Sequence, residues 1–327
     1  MKRKNEGVLT KWNHQRFLSL IFFVGLLIGC EKGDPIKNSS TSAGGYSVMV
    51  NDGAVLVSGF KAEKGKIITK YWINGESTDQ SKFIDLVENG STYRQAVDED
   101  FRKVLTFKNH DGISHNYQFD QGSLIKDGKI FYYKENSLIS MDNNSIGNIS
   151  SVAFYNEQPY FAGYLGKIVS SETGLVLRPV TPFIWDGSSS MVLLSLPEQV
   201  SWFRGISTVY MHSLNEFYVG GLCDFPMYWE NYDPVVLDNR YGEVWQLLKS
   251  GDDIYAVGLV NKYNSNSTGH TACYWKNGEL CELEDNAQAY GIFVDGTDIY
   301  VCGAVGMVPA NYRPCYWKNG VRFDLPM

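Results

Sequence analysis

The pentapeptide Tyr274-Trp275-Lys276-Asn277-Gly278 returns unchanged near the C-terminus as Tyr316-Trp317-Lys318-Asn319-Gly320. Looser copies precede it: Tyr71-Trp72-Ile73-Asn74-Gly75, Ile184-Trp185-Asp186-Gly187 and Tyr228-Trp229-Glu230-Asn231. The last three intervals between these tryptophans are 44, 46 and 42 residues. Such regular spacing indicates that the chain repeats one structural unit.

A second motif, an apolar alternation closed by glycine, precedes each tryptophan. The closing glycines are Gly59, Gly163, Gly221, Gly258 and Gly303. A further alternation lies just upstream, as in "YSVMVNDG", and ends in residues that tolerate positive φ. Period-two runs rich in Val, Ile, Tyr and Phe are typical of half-buried strands. Each unit is therefore predicted to contain two strands joined by a tight turn, a variable loop, the tryptophan strand, an Asn-Gly turn and a short final strand.

Four-stranded units repeating about every 40 to 46 residues are typical of β-propeller blades. We therefore predict an all-β fold, a β-propeller of six or seven four-stranded blades spanning residues 46–327. Between Gly59 and Gly163 only "KVLTFKN", "HNYQFDQ" and "DGKIFYYKENSLISM" predict strands, and this interval fits two long or three short blades. Seven blades are favoured because they average about 40 residues each. The tryptophans are expected to pack between blades, the alternative being a row of exposed stacking platforms.

The N-terminus has the pattern of a secretory signal, which we assign to residues 1–29. Five basic residues lie among the first 16, and residues 18–28 then form an uncharged apolar run of 11 residues. This run is too short to span a membrane, which takes about 20 residues of helix. Segments of this kind are removed from the mature protein and are left out of the fold prediction.

The end of this signal, Leu27-Ile28-Gly29-Cys30, resembles the lipobox of bacterial lipoproteins. The resemblance implies that Cys30 is the lipid attachment site and that the lipid anchor is the protein's only contact with the membrane. Residues 30–45 are polar and rich in Ser and Gly, which predicts a flexible tether. Charged residues just after Cys30 resemble the export signals of surface-displayed lipoproteins, so we expect the outer membrane, on its periplasmic or cell-surface side. The alternatives are an ordinary cleaved signal with an incidental cysteine and an uncleaved anchor.

Beyond the tether, the repeats of residues 46–327 resemble those of extracellular propeller-repeat lipoproteins. More distantly, they are similar to kelch-like and HAF-type repeats with a W-x-N-G turn. The resemblance implies a propeller fold carried outside the cell, and it is good in five units and poor over residues 76–147.

The charge balance argues against nucleic acid as a partner. Removal of residues 1–29 leaves 24 basic against 35 acidic residues, a net charge of −11. A nucleic-acid-binding protein needs a basic face to neutralise phosphates and release counterions.

A search of the sequence for catalytic and cofactor motifs finds no H-E-x-x-H, G-x-S-x-G, P-loop, G-x-G-x-x-G or C-x-x-C. His110 and His115 lie close together without a third ligand, so we expect no metal site and no cofactor. Exported proteins permit disulfides, and a bridge between Cys302 and Cys315 is one possibility. Cys273 and Cys315 share a repeat position, however, which favours small buried side chains.

Loop lengths indicate where a ligand binds. In propellers, the loop between the second and third strands lies on the same face as the connectors between blades. Only this loop varies in length here, with insertions at residues 164–182 and 259–272, and variable loops on a rigid scaffold commonly carry binding sites. Aromatic and guanidinium groups suit a polar or sugar-like ligand. The candidate ligand-binding residues are Trp202, Arg204, Arg240, Tyr241, Tyr263 and His270, the alternative being that they are ordinary loop and core residues.

Two functions remain open. The first is a non-enzymatic binding module for a glycan or a protein partner, which the absence of catalytic motifs favours. The second is a propeller hydrolase or lyase that acts on glycans, with carboxylates brought together at the mouth of the channel. Propeller enzymes assemble their sites from separate blades, so a missing local motif does not exclude this second function.

Overall fold

A computed structural model describes residues 42–63, 66–87, 93–97, 103–108, 114–119, 131–134, 137–140, 146–156, 158–171, 174–188, 191–262, 269–306 and 312–327. Over these ranges the protein is all-β, with 25 strands and one helix, α1 (Gln80–Val87). The predicted all-β fold is confirmed. The signal, Cys30 and most of the predicted tether lie outside the described residues. The first strand begins at Ser42, four residues before the start predicted for the repeats.

Five of the sheets are antiparallel and four-stranded, and in each the strands pair in chain order. The first contains β1 (Ser42–Asn51), β2 (Ala54–Glu63), β3 (Lys66–Ile73) and β4 (Glu76–Thr78). The second contains β10 (Gly147–Tyr155), β11 (Gln158–Ser171), β12 (Gly174–Trp185) and β13 (Met191–Leu193). The third contains β14 (Gly205–Ser213), β15 (Glu216–Leu222), β16 (Met227–Glu230) and β17 (Asp233–Val236). The fourth contains β18 (Gly242–Ser250), β19 (Asp253–Asn261), β20 (His270–Lys276) and β21 (Glu279–Asp285). The fifth contains β22 (Ala287–Asp295), β23 (Asp298–Val305), β24 (Arg313–Lys318) and β25 (Val321–Asp324).

One further sheet has five strands and occupies the interval where the tryptophan motif is missing. The strands predicted there are confirmed, although they belong to a single sheet. Its strands are β5 (Tyr93–Val97), β6 (Lys103–Lys108), β7 (Ser114–Phe119), β8 (Phe131–Lys134) and β9 (Ser137–Ser140).

Neighbouring sheets pack through their first strands. The first strand of the third sheet, β14, packs against β10 and β11 of the second, and β18 packs in turn against β14 and β15. The strand β22 packs against β18, β19 and β20, and β1 packs against β22, β23 and β24. The N-terminal sheet therefore lies directly against the C-terminal one, as expected of a propeller-like fold.

The asparagine in the turn after the repeat tryptophan has a double structural role in four of the five repeats. Asn277 has a φ of 51°, a left-handed conformation that asparagine tolerates, and its backbone N–H donates to the carbonyl of Ile254 at 2.9 Å. Its side-chain Oδ1 accepts a hydrogen bond from the N–H of Ile254 at 2.8 Å. Equivalent pairs join Asn74 to Val55, Asn231 to Phe217 and Asn319 to Ile299.

The lysine of the same pentapeptide explains why the motif is longer than the turn. Lys276 pairs with Asp253 at 2.8 Å and lies over the ring of Tyr255, 5.7 Å from its centroid. Lys318 repeats this arrangement with Asp298 and Tyr300. The "DIY" and "YWKNG" motifs therefore recur together because their side chains contact each other across the sheet.

The repeat tryptophans fill the space between sheets. Trp72, Trp185, Trp229, Trp275 and Trp317 are all at most 1% exposed. Trp275 packs in one cluster with Tyr218 and Tyr228 of the preceding sheet, and Trp72 packs with Phe293 of the last sheet. The predicted packing between units is confirmed, and this burial excludes exposed stacking platforms.

Each first strand has a β-bulge directly opposite the repeat glycine. In the fourth sheet Val244 pairs with Gly258 and Gln246 pairs with Val257, so Trp245 is the bulged residue. A Cβ added at Gly258 would lie 1.8 Å from the carbonyl oxygen of Glu243, which explains the glycine. The bulged residues of the five sheets are Tyr46, Ser150, Ser207, Trp245 and Tyr290.

The residue after the bulge links neighbouring sheets. The Gln246 side-chain oxygen accepts a hydrogen bond from the N–H of Ile292 at 2.8 Å, and Ser151 accepts one from Val209 at 3.1 Å. Both acceptor side chains are buried. A polar residue at this position therefore accepts a hydrogen bond from a backbone N–H of the next sheet.

The cysteines in the described ranges are all free, so the possible bridge between Cys302 and Cys315 is not formed. Cys302 pairs with Tyr316 across the ladder and Cys315 pairs with Gly303. The two cysteines are thus one residue out of register and face opposite sides of the sheet. Burial raises the pKa of both thiols, as expected for small core residues.

Candidate functional site

Of the predicted ligand-binding residues that the structure describes, four lie just before first strands, at the end of the sheets that carries the connectors: Trp202, Arg204, Arg240 and Tyr241. His270 begins a third strand, β20, at the same end. We call this surface the connector face and define it by residues 201–204, 223–226, 237–241 and 269–270. The tight hairpin turns, including Asp52-Gly53 and Asn277-Gly278, lie at the opposite end of each sheet.

Trp202 is the most exposed of the predicted site residues that the structure describes, at 50%. Asp224 lies in the loop between β15 and β16. One of its carboxylate oxygens accepts hydrogen bonds from the backbone N–H of Trp202 at 2.9 Å and from the N–H and hydroxyl of Ser201 at 2.7 Å each. Three donors on one oxygen fix the connector backbone, so the exposed indole is held in place by its main chain.

Arg204 lies at the centre of the site. Its guanidinium lies 5.2 Å from the Trp202 ring centroid and 5.5 Å from that of Tyr241, and it forms an ion pair with Glu243. Burial alone lowers the pKa of Arg204, but the Glu243 carboxylate and the Tyr241 phenol outweigh it and raise the pKa. The cation is therefore firmly charged and sandwiched between two aromatic rings.

Glu243 joins this network from the second residue of β18, and sequence analysis missed it. Its side chain is 10% exposed and accepts a hydrogen bond from the Tyr241 hydroxyl at 3.4 Å. Burial and the Glu243 charge together raise the pKa of Tyr241 to about 12. The available signal was its position: a carboxylate two residues before the bulge, inside an apolar strand, needs a buried cationic partner.

His270, the first residue of β20, lies at the edge of the same network. Its Nδ1 is 2.7 Å from the side-chain oxygen of Asn261. Burial lowers the pKa of the imidazole, and the Glu243 charge opposes that shift. The ring is thus biased towards its neutral form, in which it can both donate and accept hydrogen bonds.

Arg240 stands apart from this group. Arg240 is engaged elsewhere, because its guanidinium pairs with Asp238 at 2.8 Å and with Glu282 of β21 at 2.9 Å. These contacts tie the connector to the outer strand of its own sheet. Tyr263 lies outside the described residues.

An aromatic cluster, which sequence analysis also missed, lies among the first strands of three adjoining sheets. Tyr46 stacks on Phe60 with a centroid distance of 4.7 Å and meets Tyr290 edge-on at 5.2 Å. Tyr290 contacts Trp245 at 6.3 Å, and Tyr312 completes the cluster. Three of these five aromatic residues, Tyr46, Trp245 and Tyr290, are bulged residues. The bulges therefore direct large side chains from different sheets towards one another. Burial and the Glu243 charge both raise the pKa of Tyr312. The aromatic cluster therefore lies close enough to the Arg204–Glu243 ion pair to feel its charge.

Sequence analysis expected a loop at residues 164–182, but the structure has paired strands there. The insertion continues β11 and β12 as a two-stranded arm, paired as far as Ser171 and Gly174. A bulge at Val180, where the partner of Leu165 is Thr181 and that of Gly166 is Pro179, separates the arm from the sheet. In the second insertion, residues 263–268 lie outside the described residues.

Comparisons with known proteins supply no family for this chain. No protein-family model and no curated protein matches it. Among solved structures, the chain is similar to a puromycin-hydrolyzing peptidase of Mycobacterium tuberculosis at 10% identity, covering 86% of this chain and 53% of that one. It thus spans about half of the peptidase's length, and the TM-score of 0.29 is too low to support any argument. Of the helices in the described ranges, none is long and apolar enough to cross a membrane.

Proposed function

We propose that this protein is an extracytoplasmic β-propeller lipoprotein, anchored through Cys30, whose connector face binds a polar ligand such as a glycan or a protein partner. The proposed propeller has six or seven blades. Five four-stranded sheets plus one five-stranded sheet among the described residues favour the lower number. Residues 1–29 are proposed as the signal and residues 30–45 as the tether that holds the domain away from the outer membrane.

The observation that carries the binding proposal is the exposed indole of Trp202, fixed by Asp224 and backed by the Arg204 guanidinium. The exposed half of the indole offers a flat apolar surface on which a ligand ring can stack. A sugar ring offers C–H groups to the indole and hydroxyl groups to neighbouring polar side chains. His270 and Tyr241, on the same face, provide such polar partners.

A glycan array probed with the full chain in nonionic detergent tests this proposal. Trp202→Ala should weaken binding to the recognised glycan by about 1 to 3 kcal/mol, the range measured for stacking of a base on an aromatic ring. Tyr232→Ala is the matched control, because Tyr232 is 52% exposed but lies at the turn between β16 and β17, on the opposite face. Equal binding by wild type and Trp202→Ala would contradict the proposal.

The second candidate function is glycan hydrolysis or lysis, with Glu243 and Asp224 as the carboxylates nearest the site. Each already accepts hydrogen bonds from the protein: Glu243 from Arg204 and Tyr241, and Asp224 from Ser201 and Trp202. This occupancy favours a positioning role, and hence the binding function. Incubation of a bound glycan with wild type and Glu243→Gln, followed by product analysis, distinguishes the two: cleavage by wild type alone would establish the enzyme.

A further inference from the structure

A cavity separates the β11–β12 arm from the segment that leads into β14. Its volume is about 310 Å³, at the small end of the range of ligand pockets. Most of its lining is apolar: Val169 and Val180 come from the arm, and Leu196, Val200 and Phe203 come from the segment. Phe203 is 7% exposed and Val180 is 37% exposed, so the cavity runs from a buried aromatic floor to an open rim.

Two cations, Lys167 and Arg178, line the arm side of this cavity. They are direct partners in the antiparallel ladder, so their side chains leave the same face of the arm side by side. Like charges placed directly opposite each other destabilise a sheet. This arrangement has a cost that nothing in the packing of the arm explains.

No carboxylate in the described ranges pairs with either cation. Several other basic side chains do have such partners, which are Glu216 for Lys249, Asp285 for Lys262, Asp253 for Lys276 and Asp298 for Lys318. An unbalanced pair of cations is also unusual on a chain with a formal net charge of −7. Lys167 and Arg178 therefore place two positive charges on one side of the cavity.

From this geometry we infer that the cavity binds a small organic anion, with a carboxylate or phosphate held between Lys167 and Arg178 and an apolar body against Phe203 and Leu196. The planar guanidinium can donate two parallel hydrogen bonds to such a group, and the lysine adds a point charge. Binding would also cancel the repulsion within the arm. The inference uses neither Trp202 nor Arg204, the residues that carry the proposed function, although Phe203 belongs to the same connector segment.

Three probes that share one aromatic body test the inference on the full chain in nonionic detergent. The probes are 2-naphthoate, 2-naphthyl phosphate and the neutral 2-naphthamide, measured by equilibrium dialysis against micelles alone. Both anions should bind, and each should bind at least about tenfold more tightly than the amide, since one charge-assisted hydrogen bond accounts for about that ratio. The stronger of the two anions identifies the head group. An amide that binds as tightly as the anions, or anions that fail to bind, would overturn the inference.

Variants then locate the site. Lys167→Gln and Arg178→Gln should each weaken binding of the better anion by about tenfold. Lys82→Gln, which removes an exposed cation on α1, is the charge-matched control and should leave binding unchanged. Because each arm substitution removes one of two repelling charges, both variants should unfold at the same denaturant concentration as wild type or a higher one. Unchanged affinity in both arm variants would place the anion elsewhere and refute the assignment.

Discussion

Replacing Gly258 by alanine tests why the strand facing the bulge needs a glycine. Gly258 lies in β19, opposite Val244, and its φ is outside the left-handed region, so its backbone conformation is open to alanine. At such a site a glycine-to-alanine change normally stabilises a protein by about 0.4 to 1 kcal/mol, because it restricts the unfolded chain. The structure predicts the opposite sign here.

The magnitude follows from one distance. An alanine Cβ would lie 1.8 Å from the carbonyl oxygen of Glu243, whereas ordinary contact begins at 3.4 Å, so the two groups must separate by about 1.6 Å. The obstacle is backbone in the middle of a ladder, which has no rotamer to move into. Overpacking of this kind costs about 1 to 3 kcal/mol and occasionally more, and a backbone obstacle belongs at the upper end. We therefore expect the free energy of unfolding to fall by about 3 kcal/mol.

Equilibrium unfolding in urea, followed by tryptophan fluorescence, measures this change. Gly303→Ala is an internal repeat of the experiment, with a contact of 1.9 Å to the Gln288 carbonyl. Gly251→Asn is the control, because Gly251 lies in a turn with no atom near a new Cβ and has a φ of 62°, which asparagine tolerates. A midpoint for Gly258→Ala at or above that of wild type would refute the reasoning about the bulge.

Three further predictions concern other parts of the chain. Trp275→Ala should cost about 3 to 5 kcal/mol of unfolding free energy, as for other large-to-small core changes, and a loss below about 1 kcal/mol in urea unfolding would contradict its packing role. Cys30→Ser should abolish lipid attachment and release the protein from the membrane fraction, and retention there would count against the proposed anchor. Because burial lowers the pKa of His270, its contribution to stability is complete above the unfolded value of about 6.5 and is lost as the pH falls through the lower folded value. His270→Gln should therefore reduce the drop in urea midpoint between pH 7 and 5, and an unchanged drop would exclude the histidine as its source.

The repeated parts of the fold were predictable because each repeat motif has a local cause. The tryptophan, the turn asparagine and the closing glycine recur at similar spacing, and each has the same kind of role in most of the four-stranded sheets. The interval after the first sheet was harder, because β5 to β9 carry none of these residues. Apolar alternation indicated β6 to β9, and β5 was not predicted. Its single five-stranded sheet could not be distinguished from parts of two blades by strand pattern alone.

Errors arose where residues far apart in sequence decide the outcome. The arm of β11 and β12 was taken for a loop because of its length, although the alternation around Leu175 and Leu177 and the "ETG" turn are hairpin signals. The side-by-side placement of Lys167 and Arg178 depends on a register that the bulge at Val180 shifts by one residue. Glu243 was missed because its partner Arg204 lies 39 positions earlier in the chain, in the connector before another sheet.

The bulge connects the constant part of each repeat with its variable part. The glycine on the second strand and the carbonyl opposite it are the same in four of the five four-stranded sheets, with added-Cβ distances of 1.8 to 2.0 Å. The bulged residue itself varies, from Ser150 and Ser207 to Trp245 and Tyr290. One backbone device therefore presents serine from two sheets, tyrosine from two and tryptophan from one. A chain built this way can vary the bulged side chain by single substitutions while the glycine-to-carbonyl contact on the facing strands stays the same.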